Sequence, residues 1–252
     1  MRFFDTFINR YTLDIEIELI TPLHIGVGNQ SISPLDSDNA IMRMPDGNAV
    51  IPGASLKGVF RSNLEAILRM RGLYVCDSTN STCSYSSKDS SNEKLYKDIE
   101  QSCEVCSLFG SQSISSHIYI SDAIRKGEPG ESFTSIRDGV MIRRDTENAA
   151  GGRKYDFEVV NPGTVFAGEI LLENVDDYQV GYMLMIIDLM NEGFIRLGGK
   201  KSAGLGRVKL SFNIHKIDKE SILKEGGAVR LSDPEIENMR IAARNHIAEV
   251  IV

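Results

Sequence analysis

An α+β chain with a ferredoxin-like core is what the sequence predicts, and three observations carry that reading. Residues Thr12 to Leu19 alternate as T-L-D-I-E-I-E-L, residues Val50 to Gly72 repeat their apolar positions with helical period, and the later periodic segments follow as strand, hairpin, helix and strand. That order is the order of a split βαβ unit. A length of 252 residues with 42% hydrophobic content allows a full core, in one large domain or two small ones. The chain is read as a single domain over 1–252, with additions at 73–112, 122–156 and 226–252. Such a core hosts many functions, so function has to be argued from sites.

The first strand puts Leu13, Ile15, Ile17 and Leu19 on one face and Asp14, Glu16 and Glu18 on the other. Thr21-Pro22 ends it, and Leu23-His24-Ile25-Gly26-Val27-Gly28 follows, with glycines that permit tight turns or close backbone approach. His24 has apolar neighbours, which suits a hydrogen-bonded core histidine as well as a ligand or base. The polar stretch from Asn29 to Asp46 carries Asp36, Asp38 and Asp46, which serve turns and solubility or else a divalent cation near a phosphodiester.

From Val50 to Gly72 the chain reads V-I-P-G-A-S-L-K-G-V-F-R-S-N-L-E-A-I-L-R-M-R-G. Pro52-Gly53 makes a turn, Ser55 is placed to cap a helix, Gly72 to stop it, and Leu56, Val59, Phe60, Leu64, Ile67 and Leu68 form its buried side. Lys57, Arg61, Glu65 and Arg69 recur every fourth residue. The stripe away from the core is therefore expected to be cationic, and it starts where helix amides already favour an anion such as phosphate. An ordinary solvated surface helix has the same pattern.

Cys76, Cys83, Cys103 and Cys106 follow as C-x6-C-x19-C-x2-C in a Ser/Asn/Lys-rich stretch with no core of its own. Four thiolates around one Zn²⁺ would supply the missing stability, and the closed ligand set makes that zinc structural rather than catalytic. Four separate core cysteines are the alternative. Disulfides are not expected, because the chain reads as cytoplasmic: it shows no apolar run of roughly 18 residues and no basic-then-apolar leader.

Ser116 to Ser121 is a short strand. The Gly/Arg-rich stretch beyond Arg125 looks like a projecting hairpin with Arg137, Arg143, Arg144, Arg153 and Lys154. Phe157–Val160 and Thr164–Glu173 are expected to pair around Asn161-Pro162-Gly163, and Tyr178 to Glu192 is a second helix. Then comes F-I-R-L-G-G-K-K-S-A-G-L-G-R-V-K-L-S-F. It is neither a P-loop nor a dinucleotide fingerprint, because spacing and element order are wrong, and it is best read as a backbone-phosphate cradle ahead of a strand at Arg207–Phe212. Pro234 to Val250 is an outer helix.

The net charge is −7, from 28 Lys and Arg against 35 Asp and Glu, which argues against a nonspecific nucleic-acid binder. The cations are clustered, however. Arg196 to Lys209 holds five and no acid, which suits a guided contact with phosphates.

Three segments in combination, L-H-I-G-V-G at 23–28 with L-D-S-D at 35–38, I-P-G-A-S-L-K-G-V-F-R at 51–61 and G-G-K-K-S-A-G-L-G-R-V at 198–208, resemble the RAMP superfamily of CRISPR proteins. The likeness spans roughly 12–212 and is strongest to the repeated backbone subunit of type III effector complexes. C-E-V-C-S-L-F-G at 103–110 is similar to its zinc-bearing version. The resemblance implies an RNA-recognition-like core that stacks with copies of itself and with other type III subunits. Each copy would hold about six nucleotides of CRISPR RNA, and a thumb-like hairpin, here 122–156, would leave every sixth base of the target RNA unpaired. It also implies cleavage of single-stranded target RNA with Mg²⁺ or Mn²⁺ by a loop aspartate. The family pattern is similar to I-D-S-P, which places the catalytic carboxylate at Asp36, with Asp38 and Asn39 departing from the usual residues. RNA contacts are implied at His24, Gly26, Ser55, Lys57, Gly58, Arg61, Arg137, Arg143, Arg144, Gly198, Gly199, Lys200, Lys201 and Ser202. Two other readings stay open: a non-cleaving RNA-binding protomer, and a CRISPR-RNA processing nuclease using His24 as a metal-independent acid/base.

Overall fold

β1 (Asn9–Leu19) runs through the middle of an antiparallel sheet, with Tyr11, Leu13, Ile15, Ile17 and Leu19 buried and Asp14, Glu16 and Glu18 exposed, as alternation requires. The computed structural model describes residues 4–26, 39–77, 83, 102–112, 114–128, 131–142, 144, 149–224 and 226–249. Within them lie β2 (Val50–Ile51), α1 (Gly53–Met70), α2 (Glu104–Phe109), β3 (Ile118–Ile120), β4 (Ala123–Lys126), β5 (Thr134–Ile142) and β6 (Ala149–Val160). They continue with β7 (Val165–Glu173), α3 (Asp177–Asn191), β8 (Val208–Asp218), β9 (Val229–Arg230) and α4 (Asp233–Glu249).

The main sheet has the order β2-β4-β7-β1-β8-β9, with β3 also on β7. Its centre, β4-β7-β1-β8 with α1 and α3 as crossovers, is the ferredoxin-like arrangement the element order predicted, antiparallel throughout. β5 and β6 form a separate two-stranded sheet.

α1 buries Leu56, Phe60, Leu64 and Leu68, one residue per turn. Its end behaves as expected: Gly72 is left-handed, and the Gly72 and Leu73 amides donate back to Arg69 and Leu68 in a Schellman motif. Its start does not. Ser55 lies inside the helix, and the first amide, at Gly53, donates 2.7 Å to the Asp122 carboxylate. Gly53 is obligatory for a second reason, because a Cβ there would stand 2.1 Å from the Ile120 carbonyl.

α3 is apolar almost all round because it is covered on two sides, by the core and by α4. A capping box, Asp176 with Gln179, starts it. Gly181 lets α4 approach so closely that a Cβ would meet the Met239 carbonyl at 2.1 Å.

Two expectations fail. β6 and β7 do not pair around Asn161-Pro162-Gly163, because both edges of β7 are taken, one by β1 and the other by β3 and β4. The turn instead leads from one sheet to the other. β4, inside the stretch expected to project, belongs to the main sheet, so the hairpin proper is β5–β6.

Candidate functional site

The glycine-rich turn after α3 is built against the loop after β1. Gly199 donates to the His24 carbonyl at 2.8 Å and Gly206 to that of Pro22 at 2.9 Å. Gly198 and Gly206 are left-handed, and a Cβ would stand 2.4 Å from the His24 oxygen at the first and 2.0 Å from that of Leu197 at the second. Only glycine fits either place. Lys200 is also left-handed, which carries its ammonium over the rings of Tyr155 and Phe157, at 4.8 and 4.2 Å. Tyr155 covers Gly139 across the hairpin and remains 45% exposed. A cation above a half-open aromatic ring, beside the exposed Lys201 and Ser202, is suited to a phosphate and a stacked base.

His24 is buried and satisfied. Its Nδ1–H donates 2.7 Å to the Glu158 carbonyl, which fixes the tautomer, and its ring meets Phe157 edge-on. Its other nitrogen faces Gly26.

Lys57 and Arg61 of the cationic stripe on α1 are half-buried, and of its cations only Arg69 is exposed. Lys57 donates to the Ser116 hydroxyl at 2.7 Å and to the Ile118 carbonyl at 3.1 Å. Arg61 donates to Glu65, the Gly110 carbonyl and the Cys106 sulfur, and Arg69 to the Cys76 carbonyl. Burial, with Arg61 adding repulsion, holds the Lys57 ammonium below its usual pKa. The phosphate expected at the start of α1 meets a filled position, since Asp122 is already there. Ahead of the exposed Arg69 and Met70, α1 leaves a strip of small residues open, Ser55, Gly58, Ser62 and Ala66.

By strand register Ile124, beside the start of α1, is level with Glu16, whereas the glycine turn lies beyond Leu19 on the β8 side. The turn into α1 follows β2 and the glycine turn precedes β8, so the two are about four strand spacings, roughly 19 Å, apart across the sheet.

The four cysteines gather although they span two separate pieces of chain. Their sulfurs lie within 4.8 Å of one another and all four residues are buried. Cys76 and Cys106 are 3.3 Å apart, Cys76 and Cys103 3.7 Å. Four sulfurs about 2.3 Å from one zinc ion would be about 3.8 Å apart, so the set fits a metal ion such as zinc. The Cys106 thiol donates to Cys103, which lowers the pKa of Cys103 and raises that of Cys106, while burial pushes Cys83 up to about 11.

With this arrangement in hand, the comparison with known families is decisive: the RAMP superfamily model matches residues 16–209. The chain belongs to the RAMP superfamily. Within that superfamily it is similar to two proteins named CRISPR system Cms endoribonuclease Csm3. The one from Methanocaldococcus jannaschii is 26% identical over 215 residues, 77% of this chain and 75% of its own length. The one from Methanothermobacter thermautotrophicus is 26% identical over 258 residues, 91% of this chain and 95% of its own.

Of the residues the RAMP resemblance singled out, the fold brings His24, Gly26, Gly198, Gly199 and Lys200 together, and sets Ser55 and Gly58 apart on α1. Arg137 and Arg144 are exposed on or beside the hairpin strands. Asp36, Asp38 and Arg143 lie outside the described residues, and of Arg153 and Lys154 only the backbone is described. Sequence reasoning missed Tyr155, Phe157 and Glu158. Their signal was the alternation Tyr155, Phe157, Val159, which runs from the end of the stretch read as a projecting hairpin into the strand expected at Phe157–Val160. Among the described residues no helix is long and apolar enough to cross a membrane.

Proposed function

We propose that this chain is the repeated backbone subunit of a type III CRISPR effector complex, holding CRISPR RNA and cutting complementary target RNA. One observation carries the reading: a RAMP chain in which the Gly198 to Lys200 turn, His24 and the Tyr155–Phe157 rings converge into a cationic, aromatic seat. The names of its two relatives, both endoribonucleases of a CRISPR system, support cleavage over a purely structural role. His24 spends one ring nitrogen on Glu158, which weighs against a nuclease built on that imidazole.

In this reading Lys200, Lys201, Ser202, Arg137, Arg143 and Arg144 contact phosphates without reading sequence, and Ser55 and Gly58 admit the RNA backbone close to α1. Lys57 and Arg61 act indirectly, Arg61 by fixing the cysteine-rich insertion to α1 and Lys57 by fixing α1 to Ser116 and β3. Copies of the chain stack along the guide beside other type III subunits in the cytoplasm, and the β5–β6 hairpin serves as the thumb that sets a six-nucleotide cutting interval. Asp36 is the carboxylate assigned to a Mg²⁺ or Mn²⁺ ion, whose chemistry when bound is to stabilise negative charge at the scissile phosphate. Cys76, Cys83, Cys103 and Cys106 hold one structural Zn²⁺.

The test is copurification from cells carrying the CRISPR array, sequencing of the bound RNA, and cleavage of a complementary RNA by the assembled complex. We expect array-derived guides, cuts spaced by six nucleotides, loss of cutting in EDTA, and loss in Asp36→Ala with guide binding intact. Cutting that survives Asp36→Ala removes the catalytic assignment, and absence of array RNA removes the subunit assignment.

A further inference from the structure

Glu158 uses all of its hydrogen-bonding groups on the two stretches that flank residues 27–38. Its N–H donates to the Asn39 carbonyl at 3.0 Å, and its carbonyl accepts from His24 at 2.7 Å. One carboxylate oxygen accepts from the Ile41 amide at 3.2 Å, and the other pairs with the Arg43 guanidinium. The neighbours on β6 repeat the pattern: Asn39 donates its side chain to the Asp156 carbonyl at 3.3 Å, and Val160 and Leu23 exchange backbone bonds at 2.8 and 3.0 Å. The two flanks also meet each other, through a Gly26–Ile41 bridge and the Met42 amide on the Ile25 carbonyl.

The other strand of the hairpin is tied to the same place. Phe133, just before β5, is covered by the guanidinium of Arg43 at 5.1 Å and by that of Arg125 at 4.2 Å. Arg125 is itself locked by Asn48, Glu131 and the Glu128 carbonyl. Arg43 therefore touches both roots of the hairpin, Glu158 by charge and Phe133 by its ring. Because the hairpin forms its own sheet, with no ladder to the main one among the described residues, a force on it enters the body of the protein through side-chain and loop contacts, this joint and the Lys200 contact with Tyr155 and Phe157 among them.

We propose that Glu158 is a positioning residue which couples the hairpin to both ends of the Asp36-bearing segment, so that target RNA pressing on the hairpin tunes cleavage. This rests on the function proposed above. The pair is half-sheltered, so removing one partner leaves the other charge poorly solvated and loosens both flanks together.

The experiment uses guide-loaded complexes carrying wild-type chain, Glu158→Gln, Arg43→Met or both, measured for target affinity and for the single-turnover cleavage rate at saturating target. Expected is a fall in rate of about tenfold in each single variant, target affinity unchanged, and no further loss in the double variant. A residue that merely supports folding would lower affinity and thermal stability in step with rate, and that result overturns the proposal. So does an unchanged rate, or additive losses. Hydrogen exchange of the same complexes gives a readout independent of cutting: in Glu158→Ala the amides of Ile41, Met42 and Val160 should lose protection together, and loss confined to Ile41 overturns the coupling. Should wild-type complex bind guide and target yet never cut, the cleavage reading falls, and the exchange data still decide whether the joint exists.

Discussion

The Arg61 guanidinium lies 3.5 Å from the Cys106 sulfur while its remaining donors hold Glu65 and the Gly110 carbonyl. Burial works against its charge, but Glu65 and Cys106 outweigh that and keep its pKa above the usual value. Four thiolates on one Zn²⁺ would carry a net charge of about −2, so a fixed cation beside them would lower the cost of burying the site. We predict that Arg61→Met speeds zinc transfer to a chromophoric chelator by tenfold or more, roughly the range seen when partners of metal ligands are removed. An unchanged transfer rate would show that the guanidinium plays no part in holding the metal.

Lys57 gives the pH dependence. Its folded pKa is depressed by burial, so between that value and the ordinary lysine value the unfolded chain binds more protons than the folded one, and stability rises with pH across that window. Lys57→Met removes the effect. Unfolding of the two proteins at several alkaline pH values should show wild type gaining on the variant as pH climbs; parallel curves refute the assignment.

At the glycine turn two adjacent positions should behave oppositely. Gly198→Ala places a Cβ 2.4 Å from the His24 oxygen in a left-handed backbone and should cost about 2–3 kcal/mol in denaturant unfolding. Gly199→Ala meets only ordinary contacts, the nearest at 3.5 Å, and should stay within about 1 kcal/mol of wild type. Equal effects would mean that the turn is not pinned to His24.

Tyr182 offers a gain. Its ring is fully buried in α3, its hydroxyl has no hydrogen-bond partner among the described residues, and burial, with nearby Glu104 and Tyr178, pushes its pKa far up. Tyr182→Phe removes an unpaired polar atom without leaving a large hole and should stabilise the protein by about 1 kcal/mol, read as a higher melting temperature. A loss of similar size would reveal a partner for the hydroxyl.

Much of this architecture was legible before folding. The alternation in β1, the turn-by-turn leucines of α1, Gly72 as its stop and the C-x6-C-x19-C-x2-C spacing each describe something local or short in range, and each recurs in the structure. The partners of charged groups were not legible. Ser55 looked like the cap of α1, but the first amide, at Gly53, is capped by Asp122, 69 residues further along the chain. Lys57 and Arg61 looked like part of a solvent-facing cationic stripe, but Lys57 is spent on Ser116 and the Ile118 carbonyl of β3, and Arg61 turns toward the cysteine-rich insertion.

By itself, then, the sequence determined which face of each element is buried, because hydrophobic burial follows periodicity and needs no knowledge of what covers it. Only the tertiary structure decided which cation meets sulfur, carbonyl or open solvent, and which strand β6 joins. Those outcomes depend on close approach between distant stretches of chain, where a few tenths of a nanometre separate a hydrogen bond from no interaction at all.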